Sequence, residues 1–436
     1  MNAFDNIGSL AEGMQEDLIK WRRDFHKYAE TGWFEMRTSS RIARYLTDLG
    51  YEVLTGEDVC LKEARMGVPS AQALEAHYAW AEENGADPEF LPATRDGMTG
   101  VIGILRCGEG PTVAMRFDID ALGVIEAEDM EHVPCKLGFA SVNRGAMHAC
   151  GHDGHTTVGL GVARVLMQIK QSLHGTVKLI FQPAEEGVRG AKSIVKKGHL
   201  DGVDYFYGAH ITGKQPDDPT QLIPGSHGSL ATCKYDVIYR GKSAHAGGNP
   251  HGGQNALLAA ASAVLNLQAI PRHGKGASRI NVGTLHAGSG RNVIADEAKM
   301  EIEVRGEDTE INDYMCRYAE QILENTAKMH GCTCEIRVMG GADSAESDLD
   351  FCEQIQKICR EKMGMPVSDT LSLKVGGSED VCYMMRRVQE QGGKASFMRL
   401  TTPVAGPAHN RRFDIGEEAL ANGVKAFCAI TAQLLG

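Results

Sequence analysis

The sequence predicts an α/β protein with a three-layer main domain, built on a mostly parallel central sheet, and a ferredoxin-like α+β domain inserted into it. Helices and strands alternate from about residue 156 to 210 and again after residue 340, and the order β-α-β-β-α-β occupies the segment between. A chain of 436 residues has room for two or three domains. We therefore expect the main domain over residues 1–228 and 341–436, and the inserted domain over residues 229–340.

The N-terminal region is predicted to be helical. Apolar side chains at three- and four-residue spacings predict two packed helices. These side chains are Leu18, Trp21, Phe25 and Tyr28, and then Ile42, Tyr45, Leu46 and Leu49. The following segment, from Cys60 to Thr99, is rich in alanine and glutamate and predicts an inserted helix with flanking loops.

Strands and helices alternate after this insertion. VIGILRC (101–107) and TVAMRFD (112–118) are short strands separated by turn residues. A helix from about Thr156 to Leu173 leads to the strand TVKLIF (176–181), and a helix from Gly190 to Lys197 leads to DYFYGAH (204–210). This alternation favours a largely parallel sheet, whose ligands collect at the carboxyl ends of the strands.

The inserted domain and the C-terminal region complete the prediction. The inserted domain comprises ATCKYDVIYR (231–240), a helix from Gln254 to Gln268, INVGTLHA (280–287), KMEIEVR (299–305), a helix from Ile311 to His330, and CTCEIRV (332–338). The main domain then resumes with the strand KASFMRL (394–400) and a final helix from Glu417 to Leu434.

Composition and charge restrict the partners. The formal net charge of −12 argues against general adhesion to nucleic acid or to anionic membranes. The longest apolar stretch, from Ala256 to Leu265, is too short to span a bilayer. The N-terminal segment lacks the pattern of a secretory leader, and the twelve cysteines are scattered along the chain. We therefore expect a cytoplasmic protein with reduced thiols and a small-molecule partner.

One short segment, HACGHDGH (148–155), places a thiol and three imidazoles just before a predicted helix. A single buried histidine or cysteine is commonly structural. Four such side chains at short spacings in a glycine-rich loop instead indicate a divalent metal, because thiolate and imidazole are ligands that such metals prefer. Cys150 and His152 are the leading candidates in this segment.

Two adjacent carboxylates follow the strand TVKLIF. A glutamate pair is most often a solvated surface feature, but Glu185 and Glu186 lie at a strand end, where sites assemble in this fold class. Neighbouring side chains project in different directions, so Glu186 can hold a metal while Glu185 handles a proton.

Two further histidines also follow strands. His210 ends DYFYGAH, and His409 lies in the loop after KASFMRL. With Cys150, His152 and Glu186 they provide five ligands, enough for two metal ions if one ligand bridges. Such a pair of metals activates water against a carbonyl, with Glu185 as the general base.

Three residues of the inserted domain suit an anionic amide substrate. His245 and Asn292 could donate to a developing oxyanion, and the guanidinium of Arg305 could bind a carboxylate with two hydrogen bonds. A surface arginine is an equally good interpretation of Arg305. The inserted domain could act as a lid.

The motifs HACGHDGH (148–155), FQPAEEG (181–187), GAH (208–210), GKSAHAG (241–247), GSGRNVI (288–294) and HN (409–410) resemble those of the co-catalytic metallo-amidohydrolases. This family includes glutamate carboxypeptidases, aminoacylases and indole-acetyl-amino-acid hydrolases. The resemblance runs from about residue 21 to the C-terminal helix.

The resemblance implies a set of roles. Cys150, His152, Glu186, His210 and His409 would bind two divalent ions, Mn²⁺ or Zn²⁺, with Cys150 as the bridging ligand and Glu185 as the base. The wider family has a ligand histidine two positions before an aspartate on its second strand, and this chain has Arg116 before Asp118. Asp118 is therefore given only an orienting role behind the ligands.

Within the family, the chain is most similar to the branch that hydrolyses p-aminobenzoyl-glutamate. The similarity rests on WRRDFHKYAETGW (21–33), RMGVP (65–69) and GFASVNRGAMHACGHDGH (138–155). It implies hydrolysis to p-aminobenzoate and glutamate, with N-acetyl or indole-acetyl amino acids as alternative substrates. It also implies a dimer in which His245 reaches the neighbouring active site, the partner being an identical chain or a paralogous B subunit.

Two other hypotheses remain at this point. Cys150 could be a nucleophile activated by His152 or His155, in which case the activity would survive metal removal and be lost on alkylation. Alternatively, the chain could be a non-catalytic metal-binding or regulatory subunit. Glu185 argues against that second hypothesis, because metal storage has no use for a spare carboxylate.

Overall fold

The computed structural model describes residues 3–436; Met1 and Asn2, the first residues of the N-terminal segment considered above, lie outside the described residues. The helices are α1 (Ala3–Gly13), α2 (Gln15–Lys27), α3 (Met36–Leu49), α4 (Ala71–Glu83), α5 (Val133–Leu137), α6 (His152–Ile169), α7 (Ala191–Lys196), α8 (Ala256–Gln268), α9 (Thr309–Met329), α10 (Leu349–Met363), α11 (Val381–Glu390) and α12 (Glu418–Leu435).

The strands are β1 (Glu52–Thr55), β2 (Val101–Arg106), β3 (Thr112–Asp118), β4 (Thr176–Gln182), β5 (Tyr205–Gly213), β6 (Leu222–Ile223), β7 (Gly225–His227), β8 (Ala231–Arg240), β9 (Ser278–Ala287), β10 (Glu297–Gly306), β11 (Thr333–Ala342), β12 (Ser372–Lys374) and β13 (Lys394–Thr402).

The described residues form two compact units. The larger unit contains residues 3–227, Ala345–Val375 and Asp380–Gly436. The smaller unit contains Gly228–Ser344 and the short segment Gly376–Glu379, so the chain enters it twice.

The sheet of the larger unit is mixed, with the strand order β1-β2-β4-β3-β5-β13-β6. The four central strands β4, β3, β5 and β13 are parallel, whereas β1, β2 and β6 pair antiparallel. The expectation of a mostly parallel sheet is therefore correct only for the centre. The short turn between β2 and β3 reverses the chain, and a parallel pair needs a long crossover.

Helices cover both faces of this sheet. On one face, α6 and α12 contribute Val158, Leu166, Val424 and Phe427 to a large apolar core. On the other face, α7 and α11 contribute Ile194, Val381 and Met385 to a second core. The larger unit is thus a three-layer α/β/α structure. α6 packs closely on the sheet, because a Cβ at Gly159 would lie 2.7 Å from Cε1 of Phe181.

The smaller unit has the element order β8-α8-β9-β10-α9-β11. Its four strands form an antiparallel sheet in the order β11-β8-β10-β9. Apolar residues of α8 and α9, among them Ala260, Leu267, Met315 and Leu323, pack against the sheet. Because β9 is an edge strand, its outer backbone groups are open to pairing.

Several elements differ from the sequence prediction. The helices α1, α5, α10 and α11 and the short strands β6, β7 and β12 were not predicted. β5 continues past His210 to Gly213, because β13 pairs with it as far as Thr402. Within residues 3–436, no helix is both long enough and apolar enough to cross a bilayer.

Candidate metal centre

Cys150 and His152 lie at the amino end of α6. The helix begins at His152, four residues before the predicted start at Thr156, so only Cys150 remains in the glycine-rich loop. Gly151, between them, has a φ of +89°, a conformation that glycine adopts readily. A Cβ at Gly154 would lie 2.6 Å from Cδ1 of Ile211, so α6 packs tightly against β5. Sγ of Cys150 consequently lies 3.3 Å from Nε2 of His210.

Hydrogen bonds determine the tautomers of two candidate ligands. Nδ1 of His152 lies 2.8 Å from the backbone oxygen of Asp120, and Nδ1 of His210 lies 2.6 Å from the backbone oxygen of Ile211. A carbonyl only accepts, so each Nδ1 carries the proton and each Nε2 presents a lone pair. The buried Nε2 of His152 has no hydrogen-bond partner within the described chain. This is the arrangement of imidazoles that bind metals.

The electrostatic surroundings of His152 attract a cation. Burial lowers the pKa of His152, but the negative charge of Asp118 and the hydrogen bond to Asp120 outweigh burial and raise the pKa well above its usual value. His210 differs, because burial and the neighbouring His155 lower its pKa well below the usual value. His210 is therefore neutral, as a metal ligand must be.

The loop after β4 holds Glu185 and Glu186 in a constrained conformation. Ala184 and Val188 have φ values of +51° and +60°, which non-glycine residues adopt only when the surroundings impose them. The carboxylate of Asp120 accepts hydrogen bonds from the backbone nitrogens of Glu185, at 3.1 Å, and of Glu186, at 2.9 Å. The buried Asp120 thus determines where both glutamates point.

His409 approaches from the loop after β13. Its φ is +66°, and its backbone nitrogen donates to the carbonyl of Ala149 at 2.7 Å. Nε2 of His409 lies 3.7 Å from Oε1 of Glu186. Burial lowers the pKa of this ring, which favours its neutral, ligating form.

The predicted ligands converge on one place. In each of four overlapping groups, three ligand atoms lie within 4.8 Å of one another. The groups are Cys150, His152 and His210; Cys150, Glu186 and His409; His152, Glu185 and Glu186; and Asp118, His152 and His155. A thiol, imidazoles and carboxylates at these distances fit divalent metal ions of intermediate softness.

Asp118 and His155 lie behind this cluster. Nδ1 of His155 donates to Oδ1 of Asp118 at 2.5 Å, and Nε2 of His155 accepts from the backbone nitrogen of Ile211 at 2.8 Å. Both ring nitrogens of His155 are therefore engaged. Burial raises the pKa of Asp118, but its ion pair with Arg116 and the two histidines lower the pKa well below the usual value.

Sequence reasoning missed two acids that hold the cluster. Asp120 had a signal, because it follows Asp118 at the end of β3, where site residues gather. Asp380 had none. It is distant in sequence, yet it accepts hydrogen bonds from Nε2 of Gln182 at 2.8 Å and from the nitrogen of Ala191 at 2.9 Å. Burial raises the pKa of Asp380 to about 6.

The smaller unit brings together two of the three residues predicted to bind substrate. His245 pairs with Val293 across a β-bridge, and the carbonyl of Asn292 accepts from the nitrogen of Ala246 at 3.0 Å. Arg305 lies near the other end of β10, roughly 26 Å along the strand from Glu297 at about 3.3 Å per residue. There it forms a 3.0 Å ion pair with Glu303.

Comparisons with known proteins match the whole chain. A family model described as Peptidase family M20/M25/M40 matches residues 114–433. The chain is 43% identical to the indole-3-acetyl-aspartic acid hydrolase of Enterobacter agglomerans, over 95% of both chains. It is 42% identical to one of the named subunits of the p-aminobenzoyl-glutamate hydrolase of Escherichia coli, over 97% of both chains.

Solved structures agree with these relatives. An aminobenzoyl-glutamate utilization protein from Klebsiella pneumoniae has a TM-score of 0.83 and 37% identity, over 97% of both chains. A Bacillus subtilis protein described as a dinuclear metal binding peptidase from the M20 family has a TM-score of 0.65 and 25% identity, over 97% of this chain and 99% of that one. The chain is a hydrolase and belongs to peptidase family M20/M25/M40.

Proposed function

We propose that this hydrolase splits the amide bond of p-aminobenzoyl-glutamate into p-aminobenzoate and glutamate. The observation that carries the proposal is the convergence of Cys150, His152, Glu186, His210 and His409 beside Glu185. The relatives named for p-aminobenzoyl-glutamate, which align over nearly the full chain, supply the substrate. An activity on indole-acetyl or other N-acyl amino acids is the alternative, favoured by the indole-3-acetyl-aspartic acid hydrolase.

We assign two divalent ions, Mn²⁺ or Zn²⁺, to the cluster. Cys150 belongs to two of the ligand groups, one with His152 and His210 and one with Glu186 and His409, and this shared position supports a bridging role. When bound, such ions polarise the substrate carbonyl and lower the pKa of water. The chain itself supplies neutral Nε2 atoms and a carboxylate as ligands.

Glu185 is assigned as the general base. Its side chain is buried, and Oε2 lies 4.0 Å from Nε2 of His152, at the edge of the ligand cluster. The hydrogen bond from its backbone nitrogen to Asp120 holds the residue in place. From this position a carboxylate oxygen can accept the proton of the attacking water and later donate it to the leaving amine.

The smaller unit is assigned to substrate binding and dimerisation. His245 and Asn292 would donate hydrogen bonds to the developing oxyanion, with His245 reaching the active site of a neighbouring protomer. Edge strand β9 and helix α8 provide a surface for that partner, because Leu258, Leu265 and Leu285 are exposed there. The partner is an identical chain or a paralogous B subunit, since the Escherichia coli relative is itself named as one subunit of its hydrolase.

We place the enzyme in the cytoplasm. All twelve cysteines of the described chain are free thiols. The proposed ligand Cys150 must stay reduced to bind metal, and the cytoplasm keeps thiols in that state.

The structure weakens the hypothesis of a thiol nucleophile. His155 cannot accept a proton from Cys150, because its Nε2 already accepts from Ile211. Burial raises the pKa of Cys150 to about 12, which opposes a free thiolate. The hypothesis of a non-catalytic subunit leaves the buried Glu185 without a role.

The decisive experiment measures metal content and glutamate release together. The purified chain is loaded with Mn²⁺ or Zn²⁺ and assayed on p-aminobenzoyl-glutamate, N-acetyl-glutamate and indole-acetyl-aspartate. We expect Glu185→Gln to retain bound metal and to lose at least about 100-fold in kcat. The control is Glu109→Gln, in the turn between β2 and β3, which should match the wild type. Full activity in Glu185→Gln would contradict the assigned base.

A further inference from the structure

Arg189 follows the glutamate pair by three residues and does not form an ion pair with it. Its Nε donates to the backbone oxygen of Glu186 at 2.8 Å, and its Nη1 donates to the backbone oxygen of Gly67 at 3.1 Å. Across the described ranges, no carboxylate lies within ion-pair distance of this partly buried guanidinium. Two carbonyls thus orient a cation beside the metal cluster, and its charge stays available for an anion.

The structure forms a close-fitting seat for this guanidinium. A Cβ at Gly32 would lie 2.2 Å from Nη2 of Arg189 and 3.0 Å from Cα of Ala184. Only glycine at position 32 therefore lets the guanidinium lie flat against the backbone next to the loop of Glu185 and Glu186.

The insertion between residues 60 and 99 holds this seat from outside. The carbonyl of Gly67 contacts Arg189 directly, and the carbonyl of Met66 accepts from Nε1 of the buried Trp33 at 2.8 Å. Farther along, Nε2 of His77 lies 2.9 Å from Oε1 of Glu30. The insertion therefore grips both the segment before Gly32 and Arg189 itself.

We propose that Arg189 binds the side-chain carboxylate of an N-acylated acidic amino acid, and that the insertion serves to hold Arg189 in position. This inference rests on the proposed amidohydrolase function and names the determinant of its substrate class. Two guanidinium nitrogens matched to two carboxylate oxygens give a strong, directional contact. Arg305, which is paired with Glu303, is the less suitable candidate for this contact.

The test compares two nearly isosteric substrates, p-aminobenzoyl-glutamate and p-aminobenzoyl-glutamine. In the wild type, kcat/KM should favour the glutamate compound by about 10- to 100-fold, the effect of one charge-assisted contact. Arg189→Met should remove this preference by lowering kcat/KM for the glutamate compound alone, whereas Arg189→Lys should keep part of it. The control Arg106→Met, at the opposite edge of the sheet, should keep the full preference.

Binding without turnover gives a second readout. In a Glu185→Gln background, calorimetry with p-aminobenzoyl-glutamate should show an affinity loss of about 10- to 100-fold on adding Arg189→Met, at unchanged metal content. Equal losses for both compounds, or loss of metal, would mean that Arg189 only supports the loop, and would overturn the proposal. A retained preference in Arg189→Met would overturn it as well. If the metal-loaded wild type hydrolyses neither compound, the proposed function itself fails, and this inference with it.

Discussion

At the scale of single residues, the candidate site depends on acids that would touch neither metal nor substrate. Asp120 contacts three candidate site residues: its carboxylate accepts from the nitrogens of Glu185 and Glu186, and its carbonyl accepts from Nδ1 of His152. The carboxylate of Glu35 accepts from the nitrogen of Ala184 at 2.7 Å, and burial together with the charge of Asp120 raises the pKa of Glu35 to about 8. Ligand geometry is thus set by partners behind the ligands.

Replacing Asp120 by asparagine tests this dependence. An amide retains one acceptor but loses the charge and the paired acceptance from two backbone nitrogens, so the loop of Glu185 and Glu186 should relax. We expect metal affinity or kcat to fall by about 10- to 100-fold, the usual effect of losing a partner behind a ligand. Metal content per chain and glutamate release measure the two effects. Asp217→Asn, an exposed aspartate of the same unit, is the control, and a variant at position 120 that matched it would contradict the role.

At the scale of elements, α2 anchors the start of α6 through buried charge. Arg22 is 1% exposed; its Nε donates to Asp153 at 2.8 Å and its Nη2 donates to Asp414 at 2.5 Å. His26, one turn later, lies between Asp153 and Glu126 at 2.7 and 2.9 Å. Asp153 follows the candidate ligand His152, and Asp414 follows the loop of His409. The network therefore connects the elements that position two ligands.

Arg22→Met should be strongly destabilising. The change leaves Asp153 and Asp414 buried without their cation, and breaking a buried pair in this way costs about 3–5 kcal/mol. Neighbouring Arg23 is one-third exposed and pairs with Glu417, so Arg23→Met should cost about 1 kcal/mol or less. Urea unfolding of both variants, at the same metal loading, gives the comparison. Equal costs at the two positions would refute the importance of the buried network.

At the scale of the whole molecule, the fold separates two tasks. The larger unit contains the complete metal cluster, and the smaller unit contains the exposed edge β9 and the apolar surface of α8. Leu265 is 74% exposed, and Leu258 on the same helix is 48% exposed. An apolar helix surface beside an open strand edge is the kind of surface that a second protomer covers.

Leu265→Glu tests the dimer. A charge at the centre of an apolar contact opposes its burial, so the variant should sediment as a monomer at concentrations where the wild type is a dimer. If His245 acts on the neighbouring protomer, activity should fall in parallel. Met329→Glu changes an exposed apolar residue at the end of α9 and should leave the dimer intact. A monomeric wild type would refute the proposed interface, with or without the mutation.

The predictions from sequence succeeded where the information is local. Periodicity located α2, α3 and α12 to within a few residues, and the α/β alternation located β3, β4, β5 and β13. Local patterns failed for the sheet edges, since nothing in β2 indicates that β4, and not β3, pairs with it. They also missed α11, although Val381, Met384, Met385 and Val388 have helical spacing.

The same division applies to the site. Residue chemistry and position after a strand were enough to select Cys150, His152, Glu186, His210 and His409 from the sequence, because thiolate, imidazole and carboxylate are side-chain properties. Only the tertiary structure decided that His155 is engaged on both ring nitrogens, that Asp120 holds both glutamates, and that Arg305 lies far along its strand from Asn292. Those outcomes depend on strand order, register and hydrogen bonds between distant segments, and such contacts exist only once the chain has packed.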